Sequence, residues 1–176
     1  MLRPETETDP HIETGDDPQS PPASSMRQHT LGGPIKVEGL GLLLGAPVHV
    51  SIEPADIDHG IVFERIDLDP PVRIPALVEN VVPRGRRTTL KSGETTIETV
   101  EHCMSALAGL GIDNALIQIH GPELPGGDGS ARPFVDPMLE VGLTEQDAPR
   151  RTFELQEAIV IDEGDAMIAA IPHDTP

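Results

Sequence analysis

Glu101 and His102, adjacent in the chain, offer the most direct route to chemistry in this sequence. A histidine can ligate a metal at neutral pH, and a neighbouring carboxylate can take a proton from water. Together they suit hydrolysis of an amide or ester. Neighbours on a helix point about 100° apart, so both reach one object only if it lies near the helix end. That condition holds, because the pair stands at the start of the clearest helical pattern, just after Thr99, the expected N-cap. The same dipeptide is also a common solvent-facing or capping pair with no metal. A catalytic zinc needs three protein ligands and an open position, and no second His or carboxylate is spaced from His102 in a zincin pattern.

Other candidates are weighed in the same way. Asp128-Gly129-Ser130 precedes a second helical pattern, where orphan backbone N–H groups could receive an anion or simply form a turn and cap. Arg84, Arg86, Arg87 and Lys91 make a local basic patch, either a grip for an anionic nucleotide or a solvated loop. His29, His49, His59, His120 and His173 share no spacing and read as surface residues. Cys103 falls on the apolar side of its helix and is expected to pack rather than react. No pattern singles out a substrate-binding side chain.

The elements that must hold these residues follow from periodicity. Thr30, Ile35 and Val37 lie in an extended region that runs into Gly39, Gly41 and Gly45. Val48, Val50 and Ile52 alternate with polar residues up to Pro54, and Ile61 and Phe63 begin the next strand, so a hairpin between them is expected. Proline limits the following stretch to one short edge strand at 72–74. A Ser92-Gly93 turn joins two Thr-rich runs as a second hairpin. Val100, Cys103, Leu107 and Leu110 form the stripe of the first helix, and residues 114–120 a strand after it. The second helix takes Pro133 in its first turn and Phe134, Val135, Met138, Leu139 and Val141 as its apolar face, with Gly142 ending it. Residues 144–151 read as a polar linker, and 153–161 and 166–171 as two strands joined at Glu163-Gly164.

This order predicts an α+β two-layer sandwich, a mixed or antiparallel sheet with helices on one face. The expected domains are a Pro-rich acidic disordered tail over 1–25, a folded domain over 26–145, and the first strands of a truncated second domain over 151–176. A net charge of −18 in 176 residues argues against nucleic acid and anionic membrane surfaces. One cysteine, and no apolar run long enough for a span or signal peptide, point to the cytosol.

Beyond these local readings, TVEHCMSALAGLGIDN at residues 99–114 resembles the T-V-E-H-x-x-S/A-A-L-x-G-L-G-I-D-N signature of the UDP-3-O-acyl-N-acetylglucosamine deacetylases. RQHTL at 27–31 is similar to the family's Q-R-T-L, and GLGL at 39–42 to its G-V-G-L. GIVF at 60–63 with Arg65, Asp67 and Leu68 is similar to G-I-x-F-x-R-x-D-L. The segments GPELP at 121–125, DGSA at 128–131 and PFV at 133–135 resemble x-P-E-I-P-x-x-D-G-S-A-x-P-F-V.

The resemblance implies zinc-dependent removal of the 2-acetyl group from UDP-linked, 3-O-acylated glucosamine in lipid A synthesis. It makes His102 a zinc ligand and Glu101 the general base, and it implies two similar α+β domains with zinc between them. The family's other ligands, a His and an Asp on a K-G-H-x-x-x-D helix, have no counterpart in this sequence, so His102 is the one expected Zn²⁺ ligand here. Leu43 stands where the family pattern has a histidine, and Gly126 and Gly127 replace apolar residues, which is expected to loosen that turn. The leading expectation is an N-terminal half-enzyme, with a separate second-domain chain as a possible partner. The alternatives are a non-catalytic relative that binds a nucleotide sugar or a partner protein, and an inactive fragment.

Overall fold

The computed structural model describes residues 26–173; the expected tail over 1–25 lies outside the described residues. In chain order the strands are β1 (Arg27–Leu31), β2 (Ile35–Leu40), β3 (Pro47–Pro54), β4 (Ile61–Arg65), β5 (Val72–Pro75), β6 (Val81–Val82), β7 (Thr89–Ser92) and β8 (Thr95–Glu98). Helix α1 (Glu101–Gly109), β9 (Ala115–Ile119), α2 (Arg132–Val141) and β10 (Leu143–Pro149) follow, then β11 (Ile159–Asp162) and β12 (Met167–Ala170). Met26–Arg151 form one compact unit, and the residues from Thr152 group apart from it. The character is α+β, with mixed and antiparallel sheets and two α-helices among the described residues.

The main sheet of the first unit has the order β2-β3-β9-β4-β5, antiparallel except where β4 runs parallel to β9. Val48, Val50 and Ile52 from β3 and Ala115, Ile117 and Ile119 from β9 are buried. They share one apolar core with Phe63 of β4, Ile74 of β5, Cys103 and Leu107 of α1, and Phe134 and Met138 of α2. Each fully buried Ile or Phe contributes about 1.5–3 kcal/mol of transfer free energy. A second sheet, β6-β7-β8, leads directly into α1, and β1 pairs with β10, the last strand of this unit. Beyond Arg151, β11 and β12 form an antiparallel hairpin with Gly164 in its turn.

Several expectations change. β3 and β4 do not form a hairpin; β9 lies between them, bonded to both. Its three buried apolar positions make it the natural central strand, and a local pairing of β3 with β4 would leave them unpartnered. The stretch read as a polar linker is largely β10. Its pattern hides it, because what fixes it is polar: Asn114 Nδ2 donates to Gln146 Oε1 at 2.7 Å, and Gln146 Nε2 donates to the Ala55 carbonyl at 2.9 Å. Leu139, expected on the apolar face of α2, is 58 % exposed, while Phe134 and Met138 carry the burial. The strand expected from residue 153 begins only at Ile159.

Candidate active site

Glu101 is the first residue of α1, and its position is set from outside the helix. Its Oε2 accepts a hydrogen bond from the Thr88 backbone N–H at 3.0 Å. The Thr88 carbonyl in turn accepts the Thr99 N–H at 3.0 Å. The segment leading into β7 thus grips the start of α1 on both sides. Glu101 and His102 are both half-buried, within reach of solvent yet fixed at their backbones. A carboxylate on the first turn also suits the positive end of the helix.

The expected Thr99 cap is not made. Val100 occupies the N-cap position, and no side chain bonds the free N–H groups there. Thr99 is instead buried with φ at 60°, a conformation uncommon for a side-chain-bearing residue. Its hydroxyl donates to Glu123 Oε1 at 3.3 Å. Glu123, 1 % exposed, also accepts the backbone N–H of Leu43 through Oε1 at 2.8 Å and that of Leu44 through Oε2 at 3.0 Å. The glycine-rich loop between β2 and β3, the segment after β9 and the start of α1 therefore meet at one carboxylate. Periodicity could not reveal this. The available signal was a lone acid between two prolines in GPELP, which carried no role in the sequence.

Other candidates separate into supports and bystanders. Asp128 Oδ1 accepts both the N–H and the hydroxyl of Ser130, and Ser130 Oγ accepts the Arg132 N–H, so this motif is an exposed local turn. Those Ser130 bonds hold the Asp128 carboxyl below its usual range. Gly126 and Gly127 do not loosen it. A Cβ on Gly127, whose φ is 53°, would lie 2.8 Å from Pro133 Cγ, so the turn is tight and only glycine fits. Burial pushes the Cys103 thiol up to about 12, which matches its expected packing role. Arg87 Nε lies 2.7 Å from Glu98, while Arg84 and Arg86 remain exposed. Arg65 donates twice to Asp67 and once to the Thr96 carbonyl, tying β4 to β8; its guanidinium brings the Asp67 carboxyl down to about 2.

The metal test is a ligand count. Among the described residues, no group of three His, Cys, Asp or Glu is placed to hold a metal ion. His102 brings one ring, and its neighbour Glu101 is engaged with Thr88. The described residues alone do not fit a catalytic zinc, which takes three protein ligands. No helix among the described residues is long and apolar enough to cross a membrane.

Comparison with known proteins gives the same direction throughout. A family model described as UDP-3-O-acyl N-acetylglycosamine deacetylase matches residues 28–176. A UDP-3-O-acyl-N-acetylglucosamine deacetylase of Cellvibrio japonicus is 44 % identical over 149 residues, covering 85 % of this chain and 49 % of its own length. The proteins of that name from Teredinibacter turnerae and Pseudomonas entomophila are each 44 % identical, covering 84 % and 85 % of this chain. The chain spans about half the length of these curated relatives.

Proposed function

This chain belongs to the UDP-3-O-acyl-N-acetylglycosamine deacetylase family, and we propose that it supplies the Glu101–His102 half of an active site that removes the acetyl group from UDP-3-O-acyl-N-acetylglucosamine in lipid A synthesis. The observation that carries this is the held start of α1. Glu101 sits there with one carboxylate oxygen bonded to Thr88 and the other available, beside a half-buried His102.

In this reading Glu101 Oε1 takes the proton from the water that attacks the acetamide carbonyl and later gives a proton to the leaving amine. The Thr88 N–H fixes the carboxylate's orientation. His102 serves as one ligand of a zinc ion whose other ligands come from residues outside these 176, in the same polypeptide or in another. Zinc, when bound, supplies Lewis acidity toward the carbonyl. Met26–Arg151 form a two-layer α+β domain with α1 and α2 on one sheet face, supported by the core those helices share with the sheet. The β11–β12 hairpin begins a second, similar domain. A buried cysteine kept as a thiol suits the cytosol.

The test is acetate release from the UDP-sugar by the 176-residue chain alone and mixed with a separately expressed second half. Activity is expected only in the mixture, and Glu101→Ala should lower it by about 10²–10⁴-fold. Undiminished activity in that variant would refute the base assignment. A second reading, a relative that binds a nucleotide sugar or protein partner without turnover, is favoured by Leu43 at the family's histidine position. It predicts sugar-nucleotide or partner binding with no acetate release in either mixture.

A further inference from the structure

We propose that Glu123 is a positioning residue that ties the glycine-rich loop between β2 and β3 to the start of α1, so that the loop tip and the Glu101–His102 pair keep a fixed spacing. The consequence for catalysis rests on the proposed function; the tie itself does not.

The loop has little else to hold it. Leu42, Leu43 and Leu44 are 70 %, 48 % and 64 % exposed, so burial contributes little to fixing the tip. Within the loop, Gly45 N–H donates to the Gly41 carbonyl at 3.0 Å, and Gly41 N–H donates to the Ala46 carbonyl at 2.9 Å. These close the turn without saying where it points. Direction comes from Glu123, whose two oxygens take the Leu43 and Leu44 N–H groups. A carboxylate receiving backbone N–H groups makes a stronger bond than a neutral acceptor. The approach is close enough that a Cβ on Gly41 would lie 2.5 Å from Glu123 Oε2.

The other end of the tie is Thr99, two residues before Glu101. Its positive φ is strained for a β-branched residue and persists only where the surroundings hold it. Its N–H is bonded to the Thr88 carbonyl and its hydroxyl to Glu123. Glu123 is placed by backbone bonds on both sides, since the Pro122 carbonyl accepts the Glu98 N–H at 2.8 Å, while Leu124 N–H donates to the Glu98 carbonyl and Gly126 N–H to the Leu40 carbonyl, each at 3.0 Å. A shift of Glu123 therefore moves loop and helix start together.

Glu123→Gln separates this role from space filling. A glutamine of the same shape offers one acceptor oxygen and one donor NH₂, so one loop N–H must face another donor. Amide hydrogen exchange and His102 ring resonances are read by NMR on the full chain, together with Thr99→Val and Thr99→Ser. In the unaltered chain the Leu43 and Leu44 amides should be protected. Glu123→Gln should lower the protection of one of them at least tenfold, leave Ile52 and Ile117 unchanged, and shift the His102 signals. Thr99→Val should shift His102 as well, and Thr99→Ser, which keeps the hydroxyl, should not. Unprotected loop amides in the unaltered chain overturn the proposal, as does a Glu123→Gln spectrum with both amides still protected. If Glu123→Gln fails to fold, an unmoved His102 in Thr99→Val overturns it. Failure of the deacetylation assay leaves these readings intact, so the two claims fail separately.

Discussion

The starts of α1 and α2 resemble each other and are held by opposite means. Both have an N-cap residue in the helical region, Val100 and Ala131, with no side-chain bond from the cap itself. At α2 the substitutes are local and exposed. Asp128 bonds Ser130 and Ser130 bonds Arg132, all within five residues. At α1 they are distant and partly buried: Glu101 reaches 13 residues back to Thr88, Thr99 reaches 24 residues on to Glu123, and Glu123 reaches back 80 residues to Leu43. A local turn forms wherever its own residues allow. The start of α1 exists in its observed form only when three separate segments have assembled, which keeps Glu101 and His102 in one place.

If that contrast is right, removing the central acceptor on each side should have unequal costs. Glu123→Ala leaves two loop N–H groups and a buried threonine hydroxyl without their acceptor and should lower stability by about 2–3 kcal/mol in urea denaturation. Asp128→Ala should stay within about 0.5 kcal/mol. Equal losses would erase the distinction. Gly41→Ala probes the same junction through space. Its Cβ would collide with the Glu123 carboxylate, and a loss of about 1–2 kcal/mol is expected. A neutral outcome would show the loop free to retreat.

Acid sharpens the comparison with a smaller effect. Asp67, paired with Arg65 on the strand tied to β8, has its carboxyl lowered to about 2. A depressed carboxyl stabilises the fold above its ordinary value near 4, and that contribution is lost as pH falls through about 2. Roughly 1 kcal/mol is expected once solvent screening is allowed for. Asp67→Asn should flatten this part of the pH–stability curve, and an unchanged slope would remove the pair from the support of α1. Asp128 is lowered by its bonds to Ser130 in an exposed local turn, so Asp128→Asn should change the curve in the same sense but by less.

What could be read from the sequence divides along the same line. Short-range periodicity located β3, β9 and both helices within a residue or two, because Val48-Val50-Ile52 and Phe134-Met138 carry their burial in their spacing. Pairing was less accessible. Nothing near β3 announces that β9, more than sixty residues on, enters between it and β4. β10 was hidden because Gln146 is fixed by amide bonds rather than by apolar burial. Glu101 and His102 stood out as a chemical pair, whereas Glu123 and Thr88 did not. A buried acceptor and a backbone N–H have no signature until the chain is folded.

The most direct test of the half-site is zinc content. The chain should be mixed with a separately expressed second half, the complex freed of excess metal, and zinc measured per complex with and without His102→Ala. One zinc per complex is expected in the unaltered mixture, falling toward zero in the variant. Full zinc retained by His102→Ala would contradict the assignment of His102 as a ligand and, with it, the placement of the reaction at the start of α1.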